Sequence, residues 1–129
     1  MNGRYLLDTN IVIAIFNRES VVLKKLAETK EIFLPVIVVG ELCYGAYKSK
    51  HSRKNLEKLE DFINTNVILS CDSETAKIYG KFKNELRQLG KPIPENDIWI
   101  ASLVKQNNLT LVSRDEHFKY ISEIAVEEW

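Results

Sequence analysis

Long apolar runs are missing from this chain. No stretch approaches the ~20 residues that a membrane span needs, and no signal-peptide apolar segment follows Met1 to Arg4. The expectation is a cytoplasmic protein with no membrane partner. Cysteine is scarce: Cys43 and Cys71 lie in apolar stretches with no CxxC pattern, which predicts reduced, buried thiols rather than a disulfide or a zinc site. Net charge is also absent, because 18 basic and 18 acidic residues cancel, so no global field steers the protein towards nucleic acid or membrane. The cancellation is uneven, however. Lys48, Lys50, Arg53, Lys54 and Lys58 stand against Glu57 alone, and Lys77, Lys81, Lys83 and Arg87 form a second basic surface. With 129 residues, 45% of them hydrophobic, there is room for one well-buried core, so residues 1–129 read as one domain. No repeat or low-complexity segment interrupts it.

What the chain does have is an early aspartate placed directly after an apolar run. Tyr5 to Asn10 reads YLLDTN, a buried strand handing over at Asp8 to a helix through Ile11 to Phe16. Asp8, Thr9 and Asn10 are all capping types, so the stretch alone favours a helix cap. Downstream, helices and strands alternate. Ser20 is expected to cap a helix carrying Val22, Leu23 and Leu26, and Ile32 to Leu34 is a strand closed by Pro35. A helix follows to Tyr47, and Leu56, Leu59, Phe62 and Ile63 mark another. Val67 to Cys71 reads as a strand, Asp72 or Ser73 as the cap of a helix stopped by Gly90, and Asn96 as the cap of the next. Leu109 to Val112 and Ile124 to Val126 complete the strands. Such alternation predicts an α/β fold with a parallel or mostly parallel central sheet and helices on both faces.

In that architecture function gathers at the carboxyl ends of the strands. Asp8 and Asp115 both leave strands there, Glu41 lies on or beside an apolar helix face, and Asp97 sits in the first turn of a helix. Four convergent carboxylates repel one another and lose hydration, so they persist only with protonation, basic partners or a cation. Mg²⁺ or Mn²⁺ suits oxygen donors and leaves positions open for phosphate and water. The implied chemistry is metal-assisted phosphodiester hydrolysis.

The blocks LLDTN at 6–10, VVGELCYG at 38–45, PENDIWIAS at 94–102 and LTLVSRDEHF at 109–118 together resemble the PIN-domain ribonucleases, specifically the VapC-type toxins of bacterial toxin–antitoxin pairs. The resemblance implies an α/β/α sandwich and a Mg²⁺- or Mn²⁺-dependent endoribonuclease acting on transfer or ribosomal RNA. It also implies a VapB-type antitoxin and both homodimeric and toxin–antitoxin assembly. It puts Asp8, Glu41, Asp97 and Asp115 on the family's four acidic positions; Asp8 and Asp97 are expected to hold the metal most directly, with Glu41 and Asp115 binding through water or orienting the nucleophile. Thr9 and Ser113 match accessory hydroxyls available to a phosphate oxygen, and Asn10 matches the residue bracing the first loop.

Other readings compete with this one. A haloacid-dehalogenase phosphatase needs a second aspartate where Asn10 stands. A receiver-like signalling module would use Asp72 as phosphoacceptor but lacks the paired acid at the first strand. A catalytically inactive PIN scaffold is opposed by the presence of all four acids. Glu95 and Glu116 flank site acids, and both are expected at helix starts for electrostatic reasons, while Asp72 reads best as a cap. His51 and His117 read as surface residues, and Trp99 as packing. Lys48, Lys50, Arg53, Lys54, Arg87 and Arg114 are the candidates for RNA phosphate contacts.

Overall fold

The structure, a computed structural model, describes residues 3–129. Strand β1 (Arg4–Leu7) leads to α1 (Thr9–Phe16) and α2 (Ser20–Ala27), then β2 (Glu31–Pro35), α3 (Val36–Tyr47) and α4 (Ser52–Asn64). After β3 (Val67–Leu69) come the long α5 (Ser73–Leu89) and α6 (Glu95–Asn107), then β4 (Thr110–Val112), a 3-10 turn over Glu116–Tyr120, and β5 (Ala125–Glu127). The sheet has five strands in the order β3-β2-β1-β4-β5, and every pairing is parallel.

The chain therefore builds outward from β1 to β3, returns through α5 and α6, and resumes on the other side of β1 with β4. Right-handed crossovers in opposite directions place their helices on opposite faces of the sheet, giving the α/β/α sandwich. The reversal between β1 and β4 is the topological switch point, where the loops leaving two neighbouring strands diverge and leave a crevice. The register pairs Leu7 with Val112, and the amide of Asp8 continues the ladder by donating to the Val112 carbonyl at 3.0 Å. The residues that follow each strand are thus locked together.

The core explains why the sheet is rigid there. Leu6, Leu7, Leu34, Leu111 and Val112 are fully buried, each contributing on the order of 1.5–3 kcal/mol. Helix α6 is buried nearly all round, through Ile98, Ile100, Ala101, Leu103 and Val104, the pattern of a helix enclosed between elements rather than lying on a surface. Among the described residues no helix is long and apolar enough to cross a membrane.

Several local expectations are corrected. Helix α2 begins at Ser20 itself, preceded by Glu19 with no side-chain cap. Helix α6 is entered from Pro94, again with no side-chain cap; Asn96 already lies inside its first turn and donates to Glu41 instead. Strand β3 stops at Leu69, so Cys71 is exposed in the loop beyond it, while Cys43 is half-buried on α3; both are free thiols. Asp72 does cap α5: it accepts from the Thr75 amide, and Thr75 Oγ1 accepts from the Asp72 amide in return. Gly90, at φ +67°, ends that helix in the left-handed conformation that glycine adopts without strain.

Candidate active site

Asp8 caps α1, accepting from the Thr9 amide at 2.8 Å through Oδ1, and simultaneously faces the crevice. Its Oδ2 accepts from Ser113 Oγ at 2.7 Å, and Ser113 Oγ accepts from the Asp115 amide at 3.0 Å. One hydroxyl therefore ties the acid after β1 to the acid after β4. Asp8 is only 5% exposed. Burial pushes its carboxyl above the usual range, against the lowering effect of the Ser113 and Thr9 hydrogen bonds, and nearby Glu41 and Asp115 push it up further.

Asp97 enters from the first turn of α6 and is also buried. Desolvation, followed by the charges of Asp115 and Asp8, raises its pKa from 3.8 to about 6, partly offset by His117. Glu41 reaches in from α3. Thr9 Oγ1 donates to its Oε1 at 2.5 Å and Asn96 Nδ2 to its Oε2 at 3.2 Å, so both carboxylate oxygens are held. All four predicted acids line one open cavity of about 520 Å³, together with Thr9, Asn10, Ile13, Tyr44 and Asn96. A concavity of similar size, about 530 Å³, lies between α5 and α6 and is floored by Leu86, Ile93 and Ile98. It gathers no cluster of acids and has no evident chemistry.

The expected accessory residues all bond within or beside the site. Thr9 and Ser113 donate to carboxylates. Asn10 accepts from the Arg114 amide at 3.3 Å through its Oδ1, clipping the start of α1 to the segment after β4. Glu95 accepts from Tyr79 and Lys83, and Glu116 pairs with Lys119 at 3.5 Å, so neither competes for the site. Asp72 is occupied by its cap and by Gln106. Trp99 stacks on Tyr79 with ring centroids 4.1 Å apart, a packing role.

Sequence reasoning missed His117. His51 is exposed as expected, but the Nδ1 of His117 is buried, 3.0 Å from Asp115 Oδ1 and 3.4 Å from Asp97 Oδ2, with no well-aligned hydrogen bond to either. The signal was local. Asp115 Oδ1 accepts from the His117 amide at 2.9 Å, and this two-residue turn folds the ring back over the acid that precedes it. Tyr44 was also missed, although it follows Glu41 by three residues on α3 and so shares its face.

Of the proposed RNA contacts, Lys48 places its ammonium 5.0 Å from the centroid of the ring of Tyr44, a residue that lines the cavity. Lys50, Arg53 and Lys54 line a separate shallow depression, where Arg53 pairs with Glu57. Arg87 lines the α5–α6 concavity. The Arg114 guanidinium is engaged with Glu19 at 2.8 Å and with the Trp129 carbonyl at 3.2 Å, so its charge is already partnered.

The donor set fits a divalent cation. Asp97, Asp115 and His117 each offer a ligand atom within 4.8 Å of the others. The adjoining acids are buried and repel one another, and His117 Nδ1, although 3.0 Å from Asp115 Oδ1, makes no well-aligned hydrogen bond. A cation placed among them would relieve all three conditions.

The comparisons with known proteins agree with this geometry. The PIN domain model matches residues 5–124. Ribonuclease VapC2 of Haemophilus influenzae is 36% identical over 129 residues, covering 98% of each chain. The tRNA(fMet)-specific endonuclease VapC of Salmonella typhimurium is 30% identical over 129 residues, again covering 98% of each. Among solved structures, VapBC2 from Rickettsia felis bound to a DNA fragment from its promoter superposes with a TM-score of 0.88 at 35% identity, covering 98% of each chain. A receiver-like module is thereby set aside, and the Asp72 that would have served one is a helix cap. With a parallel five-stranded sheet, four acids at its switch point and whole-length similarity to these proteins, the chain belongs to the PIN-domain family, within its VapC ribonuclease branch.

Proposed function

We propose that residues 1–129 act as one PIN domain, a divalent-metal-dependent endoribonuclease toxin that hydrolyses phosphodiester bonds in structured RNA. The observation that carries this reading is the convergence of Asp8, Glu41, Asp97 and Asp115 on one cavity at the β1–β4 switch point. Asp8 and Asp97 are the primary candidates to hold Mg²⁺ or Mn²⁺, with Asp115 beside them and Glu41 at the rim. When bound, such a cation supplies Lewis acidity towards a phosphate oxygen and acidifies a coordinated water. Ser113 and Thr9 orient Asp8 and Glu41 respectively, which holds the carboxylates ready without rearrangement during the reaction. Glu41, fixed at both oxygens, orients the attacking water and accepts its proton as the water oxygen bonds to phosphorus; the bond from phosphorus to the leaving ribose oxygen breaks, and that oxygen takes a proton from solvent.

Transfer RNA is the first substrate class to test, since a relative of 30% identity is named for that specificity. Lys48 is the first candidate phosphate contact. A VapB-type antitoxin is the proposed partner, supported by the VapBC assembly of a relative, and a second copy of the chain is the proposed homodimer mate. The exposed apolar residues Val36, Tyr44 and Tyr47 on α3 and Ile13 on α1 supply surface for such contacts. The free thiols and the lack of a membrane-length helix among the described residues suit the proposed cytoplasmic location.

The test is mapping of cleavage sites in total RNA with and without Mn²⁺, using Asp97→Asn as control. Discrete, Mn²⁺-dependent cuts that vanish in the control support the reading. Cuts that persist in the control, or no cuts with the metal present, overturn it.

A further inference from the structure

The four acids leave one functional group at the site without a role, the imidazole of His117. Its ring is half-exposed at the outer edge while the Nδ1 edge is buried against carboxylates. A buried imidazole nitrogen ordinarily donates to a carbonyl or carboxylate, or accepts from a donor. Here Nδ1 does neither in good geometry, yet it sits 3.0 Å from one carboxylate oxygen and 3.4 Å from another. Adjacent ligand atoms on an octahedral divalent ion, each about 2.1 Å from the metal, are separated by about 3 Å along the edge of the octahedron. The 3.0 Å between Asp115 Oδ1 and His117 Nδ1 matches such an edge, and Asp97 Oδ2 lies 3.4 Å from the same nitrogen.

The backbone keeps the nitrogen there. Asp115 caps the 3-10 turn through the His117 amide, and the next residue, Phe118, is completely buried, so the ring is anchored from both sides. His117 belongs to the same short segment that delivers Asp115.

We infer that His117 is a metal ligand, contributing Nδ1 to the divalent cation held by Asp97 and Asp115. The consequence is selectivity. Imidazole nitrogen binds transition ions such as Mn²⁺ well and Mg²⁺ poorly, since Mg²⁺ prefers oxygen donors and retained water. His117 therefore makes this centre favour Mn²⁺ over Mg²⁺. The inference rests on the metal-dependent reading of the site and adds a ligand to it.

The experiment is pulsed electron paramagnetic resonance of Mn²⁺ bound to the full chain, read alongside equilibrium binding of Mn²⁺ and of Mg²⁺. Wild type should show hyperfine coupling to a directly coordinated nitrogen, absent in His117→Gln and His117→Asn. Both variants should bind Mn²⁺ roughly tenfold or more weakly, with a distinctly smaller loss for Mg²⁺. Mn²⁺ binding without nitrogen coupling in wild type overturns the ligand assignment and leaves the metal-dependent reading intact. Equal loss of Mn²⁺ and Mg²⁺ affinity in the variants also overturns it, in favour of a positioning role. Failure of wild type to bind Mn²⁺ at all overturns both. Circular dichroism of each variant separates these outcomes from misfolding, and the wild-type spectrum needs no variant.

Discussion

Ser113 Oγ donates to Asp8 Oδ2 at 2.7 Å across 105 residues of sequence. This bond joins the carboxyl ends of the two strands flanking the switch point, and it holds a buried acid in a fixed orientation. Replacing Ser113 with alanine removes a donor that lowers the Asp8 pKa, so Asp8 titrates higher still. RNA cleavage by Ser113→Ala should fall roughly 10- to 100-fold at neutral pH, and its rising acid limb should move to higher pH than in wild type. An unchanged pH profile would remove Asp8 orientation from the account.

Asp97→Asn should separate activity from stability. Because the Asp97 carboxyl titrates near 6 in the folded chain against 3.8 ordinarily, the native state holds its proton more tightly than the unfolded state. This group therefore favours folding below about pH 4, and its contribution is lost as pH rises through about 6. The full swing is on the order of 3 kcal/mol. Urea unfolding of metal-free wild type should show stability falling across that window. Asp97→Asn should flatten the fall and be more stable at pH 7, while cleaving RNA roughly 100-fold or more slowly.

Divalent cations should reverse that loss. At a concentration about 100 times its Kd, an ion that binds only the native state stabilises it by about 2.7 kcal/mol. Differential scanning calorimetry at pH 7 should show a higher Tm with Mn²⁺ than without. The increment should shrink below pH 6, where protons compete for Asp97.

Thr9 fixes Glu41 through one hydroxyl, and its methyl group faces no equivalent task. Thr9→Val should keep the fold and lose cleavage by roughly 10- to 100-fold, whereas Thr9→Ser should retain most of it. Steady-state kinetics on a single RNA substrate distinguish the two variants.

Lys48 stands over Tyr44 at the mouth of the cavity. Lys48→Glu should weaken RNA binding and reduce the slope of log affinity against log salt by about 1. Lys81, tied to Glu85 and Glu123 on another surface, is the control. Lys81→Glu should leave the salt slope unchanged in filter-binding measurements.

The legible features were those with a local physical signature. Apolar runs at strand length, Gly90 at the end of α5, and the Asp72 capping box are set by near neighbours in the chain. Asp8 and Asp115 were legible because each stands just beyond a strand, Glu41 and Asp97 because each falls among apolar positions at helical spacing. Boundaries without a side-chain cap were not: α2 and α6 start where packing of their apolar faces starts them, with Glu19 and Pro94 as mere predecessors. Cys71 looked buried because its strand looked two residues longer than it is.

By itself, then, the sequence determined the parallel α/β architecture, because hydrophobic period and strand-end position are encoded within short windows, and it singled out the four acids as candidates. Only the tertiary structure decided how those acids are held. Ser113 reaches Asp8, Thr9 and Asn96 reach Glu41, Asn10 reaches the Arg114 amide, and His117 turns its nitrogen towards Asp97. Most of these are pairings across 32 to 105 residues. The Ser113–Asp8 and Asn10–Arg114 pairings exist because β1 and β4 are neighbours in register, and those to Glu41 because α3 packs beside α1 and α6; no periodicity within a strand or helix reports which element lies beside it.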